Sequence, residues 1–164
     1  MFSCCWKNQT PVPLDLDNNI WINNPVNLKD TVKFVPPIQK GVVVKVYDGD
    51  TITIVSKLPY PESPLYRFQV RLNGIDCPEI RSDKPSEKEC ANLAKEEVET
   101  LIMNQIITLK NLQTEKYGRI LADVYFNELF INKHLLDKRL AVVYDGKTKV
   151  GPKDWLEYYK NGTI

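Results

Sequence analysis

The chain has 164 residues, of which 43% are hydrophobic and 26% are charged, and its formal net charge is +1 at pH 7. This length and apolar content suit one globular domain with a packed core, and the ordinary charged fraction excludes wholesale disorder. The near-neutral net charge excludes binding of nucleic acid by sheer positive charge. Any anionic partner must therefore meet a local group of Arg and Lys side chains.

The sequence carries no membrane-spanning or secretory pattern. It has no apolar run of about 18 residues, and its start, MFSCCWKNQTPVP, lacks the basic and apolar segments of a secretory signal. The four cysteines are Cys4, Cys5, Cys77 and Cys90. Their spacing fits neither a disulfide framework nor a zinc knuckle, which favours an intracellular protein. Alternatively, Cys4 and Cys5 could carry acyl chains that anchor the protein.

Residues 1–38 differ from the rest of the chain, because they are rich in Pro and Asn and show no sustained hydrophobic period. We interpret them as an N-terminal extension that is ordered only in part, attached to the domain by apolar residues such as Trp21. The pair Pro36-Pro37 marks the predicted boundary. The globular domain is therefore expected to occupy residues 39–164.

The next stretch has the pattern of β-strands. Residues 42–46 and 51–55 are rich in Val, Ile and Thr and flank Asp48-Gly49-Asp50, which is a strong hairpin signal. Residues 66–72 alternate apolar and polar side chains and end at Asn73-Gly74, so they predict a third strand.

The second half of the domain mixes helices and strands. Ser86, with Glu89 three residues later, predicts a capping box, and apolar residues at helical spacing predict a helix to Ile102. Two further strands at 106–112 and 120–126 and two helices at 132–139 and 155–159 complete the pattern. Three strands, a helix, two strands and a helix predict an α+β fold, a five-stranded OB-type β-barrel with two to three packed helices.

Charged residues gather at four places where a predicted strand ends or a loop begins. These are Asp48-Gly49-Asp50-Thr51, Arg71, Asp76-Cys77-Pro78-Glu79 and Lys116-Tyr117-Gly118-Arg119. Each taken alone is more often structural, because Asp and Gly dominate turns and a single Arg usually forms a surface ion pair. Functional side chains are, however, commonly mounted on such loops.

The chemistry of these residues is complementary. Asp50 and Asp76 offer the hard oxygen ligands that Ca²⁺ and Mg²⁺ prefer. Arg71 and Arg119 offer planar forks suited to phosphate oxygens. With Glu79 placed to act on a water molecule, the set predicts a phosphodiesterase site.

Four segments in this order resemble the staphylococcal nuclease (thermonuclease-like) family over residues 41–145. They are VVVKVYDGDTITI, FQVRLNGIDCPEI, TEKYGRILADVY and LLDKRLAVVY. The resemblance implies an OB-type barrel with added helices and calcium-dependent cleavage of DNA or RNA that leaves 3′-phosphate ends. It thus implies one bound Ca²⁺ ion and a nucleic-acid substrate; we expect a monomer with no obligate protein partner.

The resemblance also assigns roles to individual residues. It implies that Ca²⁺ is bound by Asp50, Asp76 and the main-chain carbonyl of Cys77. The family commonly has Thr at the Cys77 position, but a carbonyl ligand tolerates a different side chain. The implied catalytic residues are the phosphate-clamping Arg71 and Arg119 and the general base Glu79. The implied substrate contacts are Lys116, Tyr117 and, as a looser match, Tyr144.

Two other functions are consistent with the same fold. A non-catalytic nucleic-acid-binding OB module is the main alternative, but such a module has no need of all five charged residues. A peptide-binding scaffold would need an aromatic cage, which the matched segment lacks. His134 is the single histidine, so we expect it to pack or cap its helix, and Cys90 is expected to lie in the core.

Overall fold

The structure is a computed structural model that describes residues 27–115, 117–147 and 150–162. The chain divides into two compact units, Met1–Lys33 and Phe34–Ile164. The predicted acylation positions Cys4 and Cys5, the attachment residue Trp21, and Lys116 lie outside the described residues. The domain boundary expected at residue 38 stays a prediction.

The described part of the first unit contains one short helical turn. Leu28–Asp30 forms a 3-10 helix, and the side chain of Asn27 accepts a hydrogen bond from Lys29 N at 3.0 Å. This side-chain cap satisfies a backbone donor that the short turn itself leaves open.

In the second unit the described residues form eight strands and three α-helices. In chain order they are β1 Lys40–Asp48, β2 Thr51–Ser56, β3 Tyr66–Leu72, β4 Ile75–Asp76, α1 Pro85–Ile102, β5 Ile106–Thr114, β6 Ile120–Phe126, β7 Leu129–Phe130, α2 Ile131–Asp137, β8 Val142–Val143 and α3 Trp155–Asn161. Among these helices, none combines the length and the apolar character needed to cross a membrane.

The five long strands close into a barrel. β1 pairs antiparallel with β2 and β5, β2 pairs with β3, and β5 pairs with β6. A parallel contact between β3 and β6, with Val70 opposite Ile120, joins the first and the last of these five strands. Closure pairs the strands that would otherwise be open edges. The predicted α+β fold, an OB-type barrel with packed helices, is confirmed.

Alternation along the strands fills the barrel with apolar side chains. Val43, Ile54 and Val70 are fully buried, while neighbouring positions face outward. Helix α1 covers one end of this core with Ala94 and Val98, which lie four residues apart on one helix face. The core therefore fixes both the barrel and the helix that follows the predicted catalytic loop.

The predicted capping box at the start of α1 is wrong. The helix begins at Pro85, Ser86 lies inside its first turn, and the N-cap residue Lys84 makes no side-chain capping bond. Proline suits the first helical position because its φ is already helical and its missing N–H would have no helical partner. The carboxylate of Glu87 bonds instead to the preceding loop, at Glu79 N (3.2 Å) and Ser82 Oγ (2.8 Å).

The shorter helices pack through specific side chains. His134 Nε2 on α2 lies 2.6 Å from Glu97 Oε1 on α1, so this histidine links two helices as a packing residue. Trp155 at the start of α3 is buried against Cys90 and Val142 in a second, smaller apolar cluster. The expected core position of Cys90 is confirmed.

Candidate active site

The turn between β1 and β2 presents Asp50. The Asp50 N–H donates to Asp48 Oδ1 at 3.2 Å. This is an Asx turn, in which an Asp side chain accepts a hydrogen bond from the backbone two residues later, and it is one reason why Asp is common in turns. Thr51 Oγ1 donates to Asp50 Oδ1 at 2.9 Å, and Cys77 N donates to Asp50 Oδ2 at 3.3 Å. Both oxygens of a carboxylate that is only 3% exposed are thus held in place.

Arg71 connects the two predicted metal-binding carboxylates. It lies near the end of β3, in register with Thr51 on β2. Its Nη1 donates to Asp50 Oδ1 at 2.8 Å, and its Nη2 donates to Asp76 Oδ1 at 3.0 Å. Asp50 and Asp76, which are 26 positions apart in the chain, therefore meet at one guanidinium.

The charges at this position are unbalanced. Burial, with a further contribution from Asp48, raises the pKa of Asp50 to about 7, although Arg71 opposes the shift. Burial alone would lower the pKa of Arg71, but the surrounding carboxylates, Asp50 foremost, raise it above its ordinary value. One partly buried guanidinium thus faces more acidic groups than it can neutralise.

Most of the predicted site residues border a single cleft of about 250 Å³. Its walls are formed by Tyr47, Asp48, Asp50, Arg71, Cys77, Pro78, Glu79 and Arg119. Glu79 is exposed at the cleft, and its backbone N–H is held by Glu87 at the start of α1. The structure therefore brings together the carboxylates and arginines that the sequence places in four separate segments.

Arg119 lies at the base of the turn between β5 and β6. Gly118 has φ +83°, a left-handed conformation that favours glycine, and its N–H donates to Glu115 O at 3.0 Å. Arg119 Nε and Nη2 donate to Glu115 Oε2 and Oε1 at 2.6 and 3.0 Å. Because β3 and β6 are parallel neighbours, with Arg71 opposite Leu121, the start of β6, which directly follows Arg119, lies beside the end of β3.

The predicted substrate-contact residues lie at different distances from the cleft. Tyr144 has its ring centroid 5.9 Å from Arg71 Cζ, and it borders a second cavity of about 510 Å³ next to the cleft. Tyr117 is 74% exposed at the tip of the β5–β6 turn and is not among the residues that line these two cavities. Lys116 lies outside the described residues.

Two residues of the site were missed by sequence reasoning. Glu115 forms the two-bond contact with Arg119, and Glu87 holds the backbone of Glu79. Glu115 does carry a signal, since it lies four residues before Arg119 across a Gly-containing turn. Glu87 carries none, because a glutamate in the first turn of a helix is common for reasons of helix stability alone.

The residues present fit a hard cation. Asp50 and Asp76 supply two buried carboxylates, and the predicted third ligand is a backbone carbonyl, so no third side chain is required. Among the described residues, no group of three or more His, Cys, Asp or Glu side chains is arranged to hold a metal. Burial, together with Asp50, holds the pKa of the Cys77 thiol well above its ordinary value, which favours the protonated sulfur over the thiolate that binds metals.

Comparison with known proteins identifies the family. The model of the staphylococcal nuclease homologue family matches residues 69–161, more than half of the chain. An "Uncharacterized 38.1 kDa protein" of Capnoides sempervirens is 37% identical over 83 residues, or 51% of this chain and 23% of that protein. An "Uncharacterized endonuclease" of Escherichia coli is 28% identical over 106 residues, or 64% of this chain and 61% of that protein.

A staphylococcal-like nuclease of Arabidopsis thaliana is 32% identical over 87 residues, which cover 51% of this chain. The match covers 25% of that nuclease, so the chain spans between about a quarter and three fifths of the length of these relatives. The family model matches more than half of the chain, and the chain therefore belongs to the staphylococcal nuclease homologue family.

Proposed function

We propose that this protein is a calcium-dependent nuclease that hydrolyses phosphodiester bonds of DNA or RNA and leaves 3′-phosphate ends. The observation that carries the proposal is the single cleft bordered by Asp50, Arg71, Glu79 and Arg119. Membership of the family and the endonuclease names of several relatives support the same activity.

In this proposal Asp50, Asp76 and the main-chain carbonyl of Cys77 hold the calcium ion. A bound Ca²⁺ supplies a Lewis acid that polarises a phosphoryl oxygen. In the resting protein both ends of the Arg71 fork are held by the two carboxylates. With a cation bound to the two carboxylates, Arg71 would have donors available for a phosphate, which would link metal dependence to substrate binding.

The remaining residues of the proposed site act on the reaction in which water displaces the 5′-oxygen at phosphorus. Glu79 accepts a proton from the water whose oxygen attacks the phosphorus atom. As the bond between the water oxygen and phosphorus forms, the bond from phosphorus to the 5′-oxygen breaks. The 5′-oxygen takes up a proton from solvent water, so one product ends in a 3′-phosphate and the other in a 5′-hydroxyl. Arg71 and Arg119 stabilise the charge that develops on the non-bridging oxygens, where preorganised donors contribute several kcal/mol.

The test is incubation of the protein with single-stranded DNA in Ca²⁺, in Mg²⁺ and in chelator, followed by end-group analysis. We expect faster cleavage in Ca²⁺ than in Mg²⁺, because Mg²⁺ demands a tighter octahedral geometry than two carboxylates and a carbonyl provide. The products should carry 3′-phosphate ends. Glu79→Gln should bind DNA and calcium but cleave slowly, whereas Glu128→Gln, at an exposed glutamate in the β6–β7 turn, should behave as the parent.

Two results would contradict the proposal. Equal cleavage in chelator and in Ca²⁺ would exclude calcium dependence. Tight DNA binding without cleavage under any condition would favour the non-catalytic OB module instead.

A further inference from the structure

The contact between Glu115 and Arg119 is built into the fold of its turn. The two side chains are joined by two hydrogen bonds, of 2.6 and 3.0 Å, and they are 23% and 27% exposed. The backbone closes the same turn, since Glu115 N donates to Arg119 O at 2.9 Å. Because the backbone already places the two residues together, the pair loses less side-chain entropy than an ordinary surface ion pair.

Glu115 accepts hydrogen bonds from only one of the two edges of the Arg119 guanidinium that can bind a carboxylate or phosphate. Its carboxylate accepts from Nε and Nη2, which form the side edge of the fork. Within the described part of the chain, no residue accepts a hydrogen bond from Arg119 Nη1. The end edge, made of Nη1 and the second hydrogen of Nη2, therefore remains for a ligand with two acceptor oxygens.

The two residues of the pair border different cavities. Arg119 lines the cleft that contains Glu79, whereas Glu115 lines the neighbouring cavity that contains Tyr144. Arg71 lines both. Glu115 thus borders the neighbouring cavity and is not among the residues that line the cleft of the proposed reaction.

The charge of Glu115 also reaches the second arginine. Burial lowers the pKa of Arg71, and Glu115 is one of three carboxylates, after Asp50 and Asp76, that raise it. The charge of Glu115 therefore acts on Arg71 as well as on Arg119, although it bonds only to Arg119.

We infer that Glu115 is a positioning residue, which holds Arg119 by its side edge so that its end edge is presented to the phosphate in the cleft. This inference deepens the proposed function and rests on it. The opposite role, in which Glu115 competes with the phosphate for Arg119, predicts effects of opposite sign.

The first experiment compares Glu115→Ala, Glu115→Gln and the matched control Glu128→Ala. It measures the single-turnover rate on single-stranded DNA in Ca²⁺ and the affinity for a non-cleavable phosphorothioate oligonucleotide by fluorescence anisotropy. If Glu115 positions Arg119, Glu115→Ala lowers the rate about 10- to 100-fold and changes affinity by less than about threefold. Glu115→Gln keeps one acceptor oxygen and should be intermediate, and Glu128→Ala should match the parent.

The second experiment is a double-mutant cycle with Arg119→Ala. A residue that acts only through Arg119 has nothing left to position in that background, so Glu115→Ala should cause no further loss beyond about threefold. A purely structural contribution would instead persist, because it does not depend on the guanidinium. Circular dichroism and thermal unfolding check each variant, and Glu115→Gln carries the comparison if Glu115→Ala fails to fold.

Three outcomes would overturn the inference. Glu115→Ala that cleaves at the parental rate, or faster with tighter oligonucleotide binding, would identify Glu115 as a bystander or a competitor. If Glu115→Ala and Arg119→Ala lower the cleavage rate additively in the double-mutant cycle, Glu115 does not act through Arg119. A parent protein that does not cleave in Ca²⁺ would overturn the proposed function and this inference with it, whereas the first two outcomes leave the nuclease activity standing.

Discussion

Gly49 packs against Cys77 so closely that a Cβ atom placed on the glycine would come within 2.8 Å of the cysteine Sγ. The same atom would come within 2.7 Å of the Cβ of Ala94 on α1. Gly49 lies in the turn between Asp48 and Asp50, so these contacts with Cys77 and Ala94 determine how closely the turn packs against the core. Both the buried thiol and the glycine therefore serve to place the Asp50 carboxylate beside Arg71.

Gly49→Ala should move the turn and damage the site. The added methyl group has no space, so the turn must shift by a few tenths of an ångström or more, at a cost of about 1–3 kcal/mol in the free energy of unfolding. Because Asp50 moves with the turn, calcium affinity should fall as well. Urea unfolding and calorimetric titration measure the two effects.

Gly151→Ala is the matched control for this change. Its added Cβ would make only ordinary contacts with the Trp155 ring, the nearest at 3.7 Å, so its stability and calcium affinity should stay close to parental values. Gly49→Ala with parental stability and calcium affinity would show that the turn is not held by the contact with Cys77.

Cys77→Ser should distinguish the role of the thiol in calcium binding from the role of the main-chain carbonyl. The smaller side chain fits beneath Gly49, and the proposed carbonyl ligand is unchanged, so calcium affinity should change by less than about threefold. The buried hydroxyl lowers the free energy of unfolding by about 1–3 kcal/mol if it finds no partner. A folded Cys77→Ser protein that loses calcium affinity on the order of a thousandfold would show that the sulfur has a role in metal binding.

The raised pKa of Asp50 predicts how the stability of the calcium-free protein depends on pH. The folded-state value of about 7, caused mainly by burial, lies above the ordinary value of 3.8. The folded protein therefore binds this proton more tightly than the unfolded chain. The stabilisation is fully present below the ordinary pKa and is lost as pH rises towards 7, at about 1.4 kcal/mol per pH unit in the steepest part.

Asp50→Asn isolates this contribution. The variant carries no titrating group at this position, so its stability relative to the parent should increase as pH rises from about 4 to about 7 and then stay constant. Urea unfolding in chelator across this range gives the comparison. A difference between the two proteins that does not vary with pH would mean that Asp50 is ionised throughout.

Calcium affinity should depend on the same proton. The ion binds the ionised carboxylate, so below about pH 7 it must displace a proton from Asp50. Affinity should therefore rise by up to about tenfold per pH unit as the pH approaches 7, and level off above it. Titration calorimetry in two buffers with different ionisation enthalpies would also detect the released proton. Uptake of a proton on binding would contradict the assignment.

The barrel and the meeting of the charged residues could be predicted, and the supporting contacts could not. Alternating β-branched runs around Asp48-Gly49-Asp50 indicate a hairpin, and the resemblance to the nuclease family, rather than spacing along the chain, implies that the charged residues meet. The pairing of Arg71 with Thr51 is known only from the structure. The partners of Glu87 and Glu115 depend on side-chain directions in loops, which no periodicity encodes. The capping box failed for a related reason: Ser86 and Glu89 have the right spacing, but the helix starts at Pro85, so its N-cap is Lys84, two residues before the predicted one.

Glu87→Ala should loosen the loop that carries Glu79. The change removes the acceptors for Glu79 N and Ser82 Oγ, which tie that loop to the first turn of α1. We expect a lower single-turnover cleavage rate, about tenfold, with calcium affinity retained because Asp50 and Asp76 are not affected. Glu96→Ala, farther along the same helix, is the control. Equal rates for the two variants would show that the position of Glu79 does not depend on Glu87.

Chains shortened at the N-terminus test where the catalytic domain begins. Ile38 is 4% exposed in the barrel core, and Thr114 Oγ1 donates to Phe34 O at 2.6 Å. A chain starting at Phe34 keeps both contacts, so its free energy of unfolding should be close to that of the full chain. A chain starting at Lys40 loses both, and the missing Ile38 side chain alone costs about 1.5–3 kcal/mol.

Ile38→Ala in the full chain separates the loss of this side chain from the loss of the whole segment. This substitution leaves a cavity in the core, so it should lower the free energy of unfolding by about 2–5 kcal/mol. That loss is at least as large as the loss that the chain starting at Lys40 suffers because it lacks the Ile38 side chain. Urea unfolding with circular dichroism compares the proteins. If the chain starting at Lys40 is as stable as the full chain, the predicted boundary after residue 38 is correct and Ile38 packs without contributing to stability. If the chain starting at Phe34 is folded and the shorter one is not, the domain begins near Phe34, because the barrel core needs Ile38.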